Sequence, residues 1–552
     1  MSRRCEICET TFEISDAEAQ LCTKFEIPLP RLCPEERLRH RLVFRNEFTL
    51  YRRKCSLTGQ DILSNFDEDT AFPVYNNDVW WSDSWDVFQC GREFDFSKTF
   101  LENFRPVYEA VPRPALGVIR STMENSDYCN QAGHLKDCYL IVNADYSERC
   151  LYGKGVNRCF DCLDCFKTYD CEACYQCCNC NNCTFSTYLF DCHSSNECHF
   201  SYNLIGCEHC FGCVNLRNQR FCLFNEQLSQ AEYESTVQRL RHECVADEVL
   251  AQVNALRTTL PVKWMQERNT ENCSGDYLVN CKDCEGCYDS EDLERCVHCS
   301  DIKRGSGVSF GNYEVSYYGV SVFDSCHSIT IGDSANRVFF SQDIYGGNDI
   351  FYSILCNTAS HDLFGCVGMK KQRYCILNKQ YDQVSYNNLR AKIIAHMKET
   401  GEWGDFFPAE LAPFAYNESV AIEYFPLTRE RALELGYRWK EPKASEYQPG
   451  TFKPAPLPGE LGDSILSELL SCETTGRNYR IQPTELEFYR KLQLPVPALC
   501  PQERHRRRML TRNPRMLFGR RCARSGVPIL TAVSPDRTEP VLCREEYEKL
   551  FR

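Results

Sequence analysis

The sequence predicts a mainly β protein: a duplicated cysteine-rich β-solenoid flanked by two small degenerate zinc-ribbon-like α+β modules. Three observations predict it. Cysteines recur with a period of three over long stretches. The motif that ends one such stretch returns at an offset of 153 residues. The two ends of the chain match each other at an offset of 467.

Composition sets the frame. The chain has 552 residues, 39 of them cysteine, with 43% hydrophobic and 25% charged residues, so it is not of the disordered class. No run of 18 apolar residues is present, and no membrane partner is expected. The start, Met1-Ser-Arg-Arg-Cys5-Glu-Ile-Cys8, lacks the apolar region of a secretory signal. A reducing, cytoplasmic compartment with free or metal-bound thiols is therefore expected.

Residues 1–85 form the first terminal module. Its Leu32-Cys33-Pro-Glu-Glu36-Arg37 aligns with Leu499-Cys500-Pro-Gln-Glu503-Arg504, Arg45-Asn46 with Arg512-Asn513, and Cys55 and Gly59 with Cys522 and Gly526.

The first solenoid unit is expected over 120–225. Of the 18 cysteines between Cys129 and Cys222, all but Cys178 carry numbers divisible by three. Ala132, Leu135, Ile141, Ala144, Val156, Leu189, Leu204 and Leu216 share that phase. A period of three is neither helical nor that of a flat strand. A solenoid of very short strands and corners can turn every third side chain inward, and each coil buries its face by stacking on the next. The following residue is often apolar too, as at Tyr139, Leu151, Phe160, Leu163, Phe166, Tyr169, Tyr175, Phe190 and Phe211, which predicts a second apolar row.

Capping or linker helices are expected over 226–262. Ser229 and Glu232 have capping-box spacing, and Tyr233, Val237 and Leu240 follow at helical spacing. The second solenoid unit spans 271–380. Cys281, Cys284, Cys287, Cys296, Cys299, Cys326 and Cys356 share one phase with Val308, Val320, Phe323 and Ile329, and Cys366 and Cys375 leave it. Aliphatic residues at these positions indicate that the cysteines pack as small hydrophobes. Zinc or iron–sulfur binding by Cys171-Cys174-Cys177-Cys180-Cys183 or Cys281-Cys284-Cys287 is the alternative. Residues 381–442 read as a capping helix and an aromatic arm, 443–462 as a proline-rich linker, and 463–552 as the second terminal module.

With the terminal modules, Asn125-Ser-Asp-Tyr128, Lys136-Asp-Cys138-Tyr and the Cys-Phe-Gly-Cys-Val-Asn-Leu-Arg-Asn stretch from Cys210, the chain resembles the cysteine-rich repeat proteins of ultrasmall bacteria that carry terminal zinc-ribbon-like modules. The resemblance implies architecture and no activity. It also implies a terminal ribbon with four Cys-x-x-Cys pairs. Here the C-terminal copy keeps half-pairs only: Cys472 with Thr475, Cys500 with Glu503, Cys522 with Ser525, Cys543 with Glu546. The N-terminal copy keeps Cys5, Cys8 and Cys33, with Glu36 in the fourth place, so one three-thiolate zinc site can form there. A metal-free ribbon held by apolar contacts is the leading expectation, and the zinc site its alternative.

The net charge is −14, yet residues 472–552 hold 17 basic and 9 acidic residues. Arg504, Arg506, Arg507, Arg508 and Arg512 are the candidate nucleic-acid-binding residues. Alternatively, they dock on the acidic solenoid of this or another chain. No P-loop, Rossmann fingerprint, H-E-x-x-H or G-x-S-x-G is present, and no catalytic residue is assigned. Asp161, Asp164, Asp170 and Asp191 read either as paired carboxylates or as turn residues. The leading expectation is a non-enzymatic binding or scaffold protein with a protein partner. A metal or redox protein and a nucleic-acid binder are the rivals.

Overall fold

The computed structural model describes residues 1–303, 305, 307–455 and 462–551. The Leu457-Pro-Gly459 end of the proline-rich segment lies outside the described residues. The fold is mixed α/β, with large parallel sheets and twelve α-helices among the described residues. It is more helical than expected, because the terminal segments and the connections between the cysteine-rich blocks supply the helices.

In the first block, Asn130–Lys136, Val142–Glu148, Lys154–Asn157 and Phe166–Tyr169 pair in chain order, each parallel to the last. Single pairings extend the ladder: Leu151 to Leu163 to Tyr175 to Thr187, 12 residues at a step. The backbone explains the period of three. A left-handed residue precedes the inward positions, for example Asp161 (φ 50°), Asp164 (φ 56°), Asp170 (φ 54°) and Asp191 (φ 56°). Each turns the chain, so every third side chain returns to the same side. Asp and Asn tolerate this conformation better than most residues. These aspartates are thus turn residues.

The inward positions form one core. Seventeen cysteines pack there with Ala132, Leu135, Ile141, Ala144, Val156, Leu189 and Leu204, none of the cysteines more than 2% exposed. Cys178 packs outside it, with Phe166, Phe190 and Phe211. The second apolar row is covered from two sides. Leu151, Leu163 and Tyr175 lie under Ile465, Ile481, Leu486 and Tyr489 of the C-terminal segment. Phe166, Phe190 and Phe211 lie under Tyr233, Val237, Val249 and Val253 of the helices Gln230–Glu243 and Ala246–Thr259. Phe160 departs from the expectation and stands 45% exposed.

The second block contributes an 11-stranded sheet from Glu267–Arg268 to Lys379–Gln380, parallel up to its last pair. The slip of phase expected at Cys366 and Cys375 begins earlier in the block. Gly275 pairs 12 residues on with Cys287, but Ser300 pairs with Ser316 and Tyr313 with Cys326. The extra residues shift the inward phase within the block. Val315, Val322, Ile331, Val338, Ile350, Leu363 and Cys366 carry its interior. Cys326 and Ile329 face a separate aromatic core instead, with Phe44, Phe104, Phe407 and Tyr416 of the N-terminal segment and the 381–442 arm. Val308 is 46% exposed.

Each terminal segment runs hairpin, two helices, hairpin. The N-terminal helices are Asp16–Lys24 and Pro34–Leu42, and the C-terminal ones Pro483–Leu492 and Pro501–Leu510.

Candidate functional site

The four cysteine turns of the terminal segments share one geometry. The backbone N–H of a left-handed residue bonds to the carbonyl of the first cysteine: Glu9 to Cys5, Gly59 to Cys55, Gly476 to Cys472, Gly526 to Cys522. Among the described residues only the first turn brings three thiols together. Cys5, Cys8 and Cys33 bring their sulfurs within 4.8 Å of one another, a group that could hold a metal ion. Cys8 Sγ stands 3.6 Å from Cys33 Sγ. Cys33 also caps the Pro34–Leu42 helix, which fixes its direction. Burial raises both buried thiols, but at Cys5 the N–H groups of Cys8, Cys33 and Ile7 outweigh it, and the thiol falls below its ordinary value. That favours the thiolate a metal requires. Glu36 does not complete the set. Its carboxylate turns to Arg39 in an ion pair. Its counterpart Glu503 turns in the same way to Arg506 at 2.7 Å. In the C-terminal copy, Thr475 Oγ1 stands 3.9 Å from Cys500 Sγ, and Ser525 Oγ 3.8 Å from Cys543 Sγ. Hydroxyls occupy the places a ribbon would give to thiolates.

The block cysteines have a different geometry. Among the described residues the Cys5, Cys8 and Cys33 group is the one place where three ligand atoms converge. Cys162 Sγ donates to Phe160 O at 3.4 Å and Cys171 O at 3.6 Å, and Cys174 Sγ to Glu172 O at 3.5 Å and Cys183 O at 3.4 Å. Burial pushes the Cys129, Cys356 and Cys375 thiols up to about 12, so they stay protonated at neutral pH.

The basic cluster is largely an interior fastening, which corrects its reading as an exposed surface. Arg504 pairs with Asp164 at 2.8 Å and Arg508 with the same carboxylate at 3.3 Å, all three buried. Arg512 pairs with buried Asp289. Arg506 and Arg507 remain on the surface, held to Glu503 at 2.7 Å and 3.4 Å. The N-terminal segment repeats the device on the second block. Arg37 and Arg41, the counterparts of Arg504 and Arg508, close on Glu314, which is fully buried. Glu18 accepts from Tyr313 Oη at 2.7 Å, and its counterpart Glu485 from Tyr152 Oη at 2.9 Å. Each terminal segment thus pins one block through its paired arginines and also reaches the other, Arg515 to Asp301 at 2.6 Å and Glu47 to Lys154 at 2.7 Å. Sequence reasoning missed Glu314 and named Asp164 only as a paired carboxylate or a turn residue. The available signal was the repeated Arg-x-x-x-Arg at the 467 offset, which demands a matching buried acid.

Among the described residues no helix is long and apolar enough to cross a membrane. Neither a family model nor a curated protein matches the chain. Similar solved structures include one from Desulfovibrio desulfuricans G20, provisionally described as an acetyltransferase, at TM-score 0.11 and 7% identity, covering 50% of this chain and 81% of that one. A likeness at that score carries no argument about fold or activity.

Proposed function

We propose that this is a non-enzymatic cytoplasmic scaffold or binding protein. A duplicated β-solenoid is fastened into one body by two degenerate ribbon-like modules, and a structural zinc sits at Cys5, Cys8 and Cys33. The observation that carries this reading is the reciprocal pinning: Arg37 and Arg41 on Glu314, Arg504 and Arg508 on Asp164. The 12-residue register and thiol interior of the first block support the solenoid. Four alike cysteine turns support kinship with the cysteine-rich repeat proteins of ultrasmall bacteria. The protein partner docks on the surface the modules leave uncovered, since the modules themselves are occupied within the chain. Nucleic acid is not favoured, because Arg504, Arg508 and Arg512 are paired inside and the exposed Arg506 and Arg507 are held to Glu503.

Metal content and thiol reactivity of protein purified without oxygen test the reading. About one zinc per chain, lost in Cys8→Ser, is expected for a three-thiolate site. The block thiols should titrate only after unfolding. Several zinc or iron atoms per chain would overturn it in favour of a metal or redox protein.

A further inference from the structure

The two halves of the chain differ at one place where their plan is the same. Val367 and Val214 hold the same position in the Phe-Gly-Cys-Val motif of each block. The ladder runs back from Val367 to Ile354 and Gln342, and from Val214 to Tyr202 and Phe190. Asp343 therefore corresponds to Asp191. Phe66 of the N-terminal segment corresponds to Val533 at the 467 offset. Between the first block and the C-terminal segment these positions enclose about 50 Å³. Phe190 and Tyr202 stack at 4.5 Å, the Arg257 guanidinium lies 4.7 Å over Tyr202, and Tyr277 Oη donates to Asp191 at 3.0 Å. Between the second block and the N-terminal segment the same positions line a cavity of about 610 Å³. That volume is within the range of small-molecule sites. Duplication alone does not produce it, since the equivalent space is filled.

The walls indicate what would enter. Phe66, Trp81, Tyr318 and Tyr345 give aromatic surface. Most charges there are already answered: Lys303 by Asp145 at 3.3 Å, Arg45 by Glu47 at 2.7 Å, and Asp333 by Tyr318 Oη at 2.8 Å. Arg113 donates to the carbonyls of Val111 and Tyr108 and lies against the rings of Phe72 and Tyr108. Asp343 is the exception. It accepts from Gln342 Nε2 at 2.9 Å and from the Thr330 hydroxyl, and Arg45 and Arg113 face it, but among the described residues no Lys or Arg is in ion-pair range. Asn65, on the same wall, has a buried Oδ1 with no hydrogen-bond partner.

We propose that this cavity binds a small aromatic amine, its ring among Phe66, Tyr318 and Tyr345 and its ammonium group on Asp343. A carboxylate without an ion-pair partner beside aromatic faces selects a cation over a neutral or anionic molecule of the same shape. This site lies beyond the scaffold reading, which stands or falls separately.

Isothermal titration with tryptamine, tryptophol and indole-3-acetate tests it, because the three share a ring and differ in charge. Tryptamine should bind at least about tenfold more tightly than tryptophol, with indole-3-acetate weakest. Asp343→Asn should erase that difference. Ile119→Trp, at a half-exposed position on the cavity rim, should abolish binding of all three while circular dichroism stays unchanged. Binding of indole-3-acetate equal to or tighter than tryptamine would overturn the proposal. So would tryptamine binding that survives both substitutions, or no binding of any probe at millimolar concentration.

Discussion

Glu314→Gln removes the charge on which the N-terminal segment is pinned. Glu314 is fully buried, and Arg37, Arg41 and His327 Nδ1 (3.1 Å) all close on it. Arg37 retains Glu18 at 2.7 Å, but Arg41 has no second carboxylate among the described ion pairs. Removing one member of a buried pair costs about 3–5 kcal/mol, because the remaining charge is left buried without compensation. At 1.4 kcal/mol per factor of ten, docking weakens by roughly a hundredfold to several thousandfold. Hydrogen exchange of the Pro34–Leu42 amides reads this directly, since a local opening exposes that helix without unfolding the whole chain. The pH dependence gives a second check. The arginines and His327 outweigh the burial penalty and hold the Glu314 carboxyl well below its ordinary value. Its contribution is complete above the ordinary carboxylate range and is lost as pH falls through the lower folded value. Wild-type docking should therefore weaken in acid, and the variant should lack that component. Exchange that stays within about threefold of wild type at neutral pH would refute the pinning argument.

Arg508→Ala should destabilise the C-terminal segment by a comparable few kcal/mol in denaturant unfolding, whereas Arg506→Ala should change stability by less than about 1 kcal/mol, as for an exposed pair. Cys174→Ala should cost roughly 1–2 kcal/mol through a small cavity and a lost donor, and Cys174→Ser should cost less, with metal content unchanged in both. Burial raises the Asp343 carboxyl to about 6, against Arg45, Gln342, Arg113 and Thr330, which face it and favour its charged form. Ionising Asp343 thus opposes folding: the penalty is absent below its unfolded value and complete above about 6. Asp343→Asn should raise the melting temperature at pH 8 and not at pH 3.5, which thermal unfolding at the two pH values checks.

Much of this plan was legible in the residues, and the limits have physical causes. The inward phase of the first block was readable because every step there is 12 residues, a multiple of three. The second block breaks that condition between Ser300 and Cys326, and a count by threes then placed Cys326 and Ile329 on the wrong side. The thiol triad was readable because its ligands are local to one turn and one helix cap. Glu36 was misjudged because Arg39, one helical turn on, competes for it. The arginine cluster was readable as charge but not as burial: its partners Asp164 and Asp289 lie hundreds of residues away, inside blocks whose faces the sequence did not assign. The cavity had no sequence signal, since it is the space left where Gln342 and Ile354 replace the stacked Phe190 and Tyr202.

The choice of cysteine for the interior follows from the same backbone. Each inward residue sits between the carbonyl two residues behind it and the carbonyl nine residues ahead, on the adjoining segment. Ser147 meets this arrangement as a hydroxyl: it donates toward Asp145 O and Val156 O, both at 3.2 Å, and accepts from Cys159 N at 3.2 Å. Cys192 meets it as a thiol, donating to Phe190 O at 3.3 Å and Ser201 O at 3.7 Å and accepting from Leu204 N at 3.4 Å. An isoleucine fills the volume but offers no donor, and a serine offers a donor but less apolar surface. The thiol supplies both in one small side chain. In the second block Ile331, Ile344 and Ile350 take more of the interior, and the cysteines that remain keep the same carbonyl contacts, as Cys366 Sγ does with Cys375 O at 3.3 Å. Cysteine at these positions thus follows from filling a small apolar space that two backbone carbonyls border, a requirement of packing in itself.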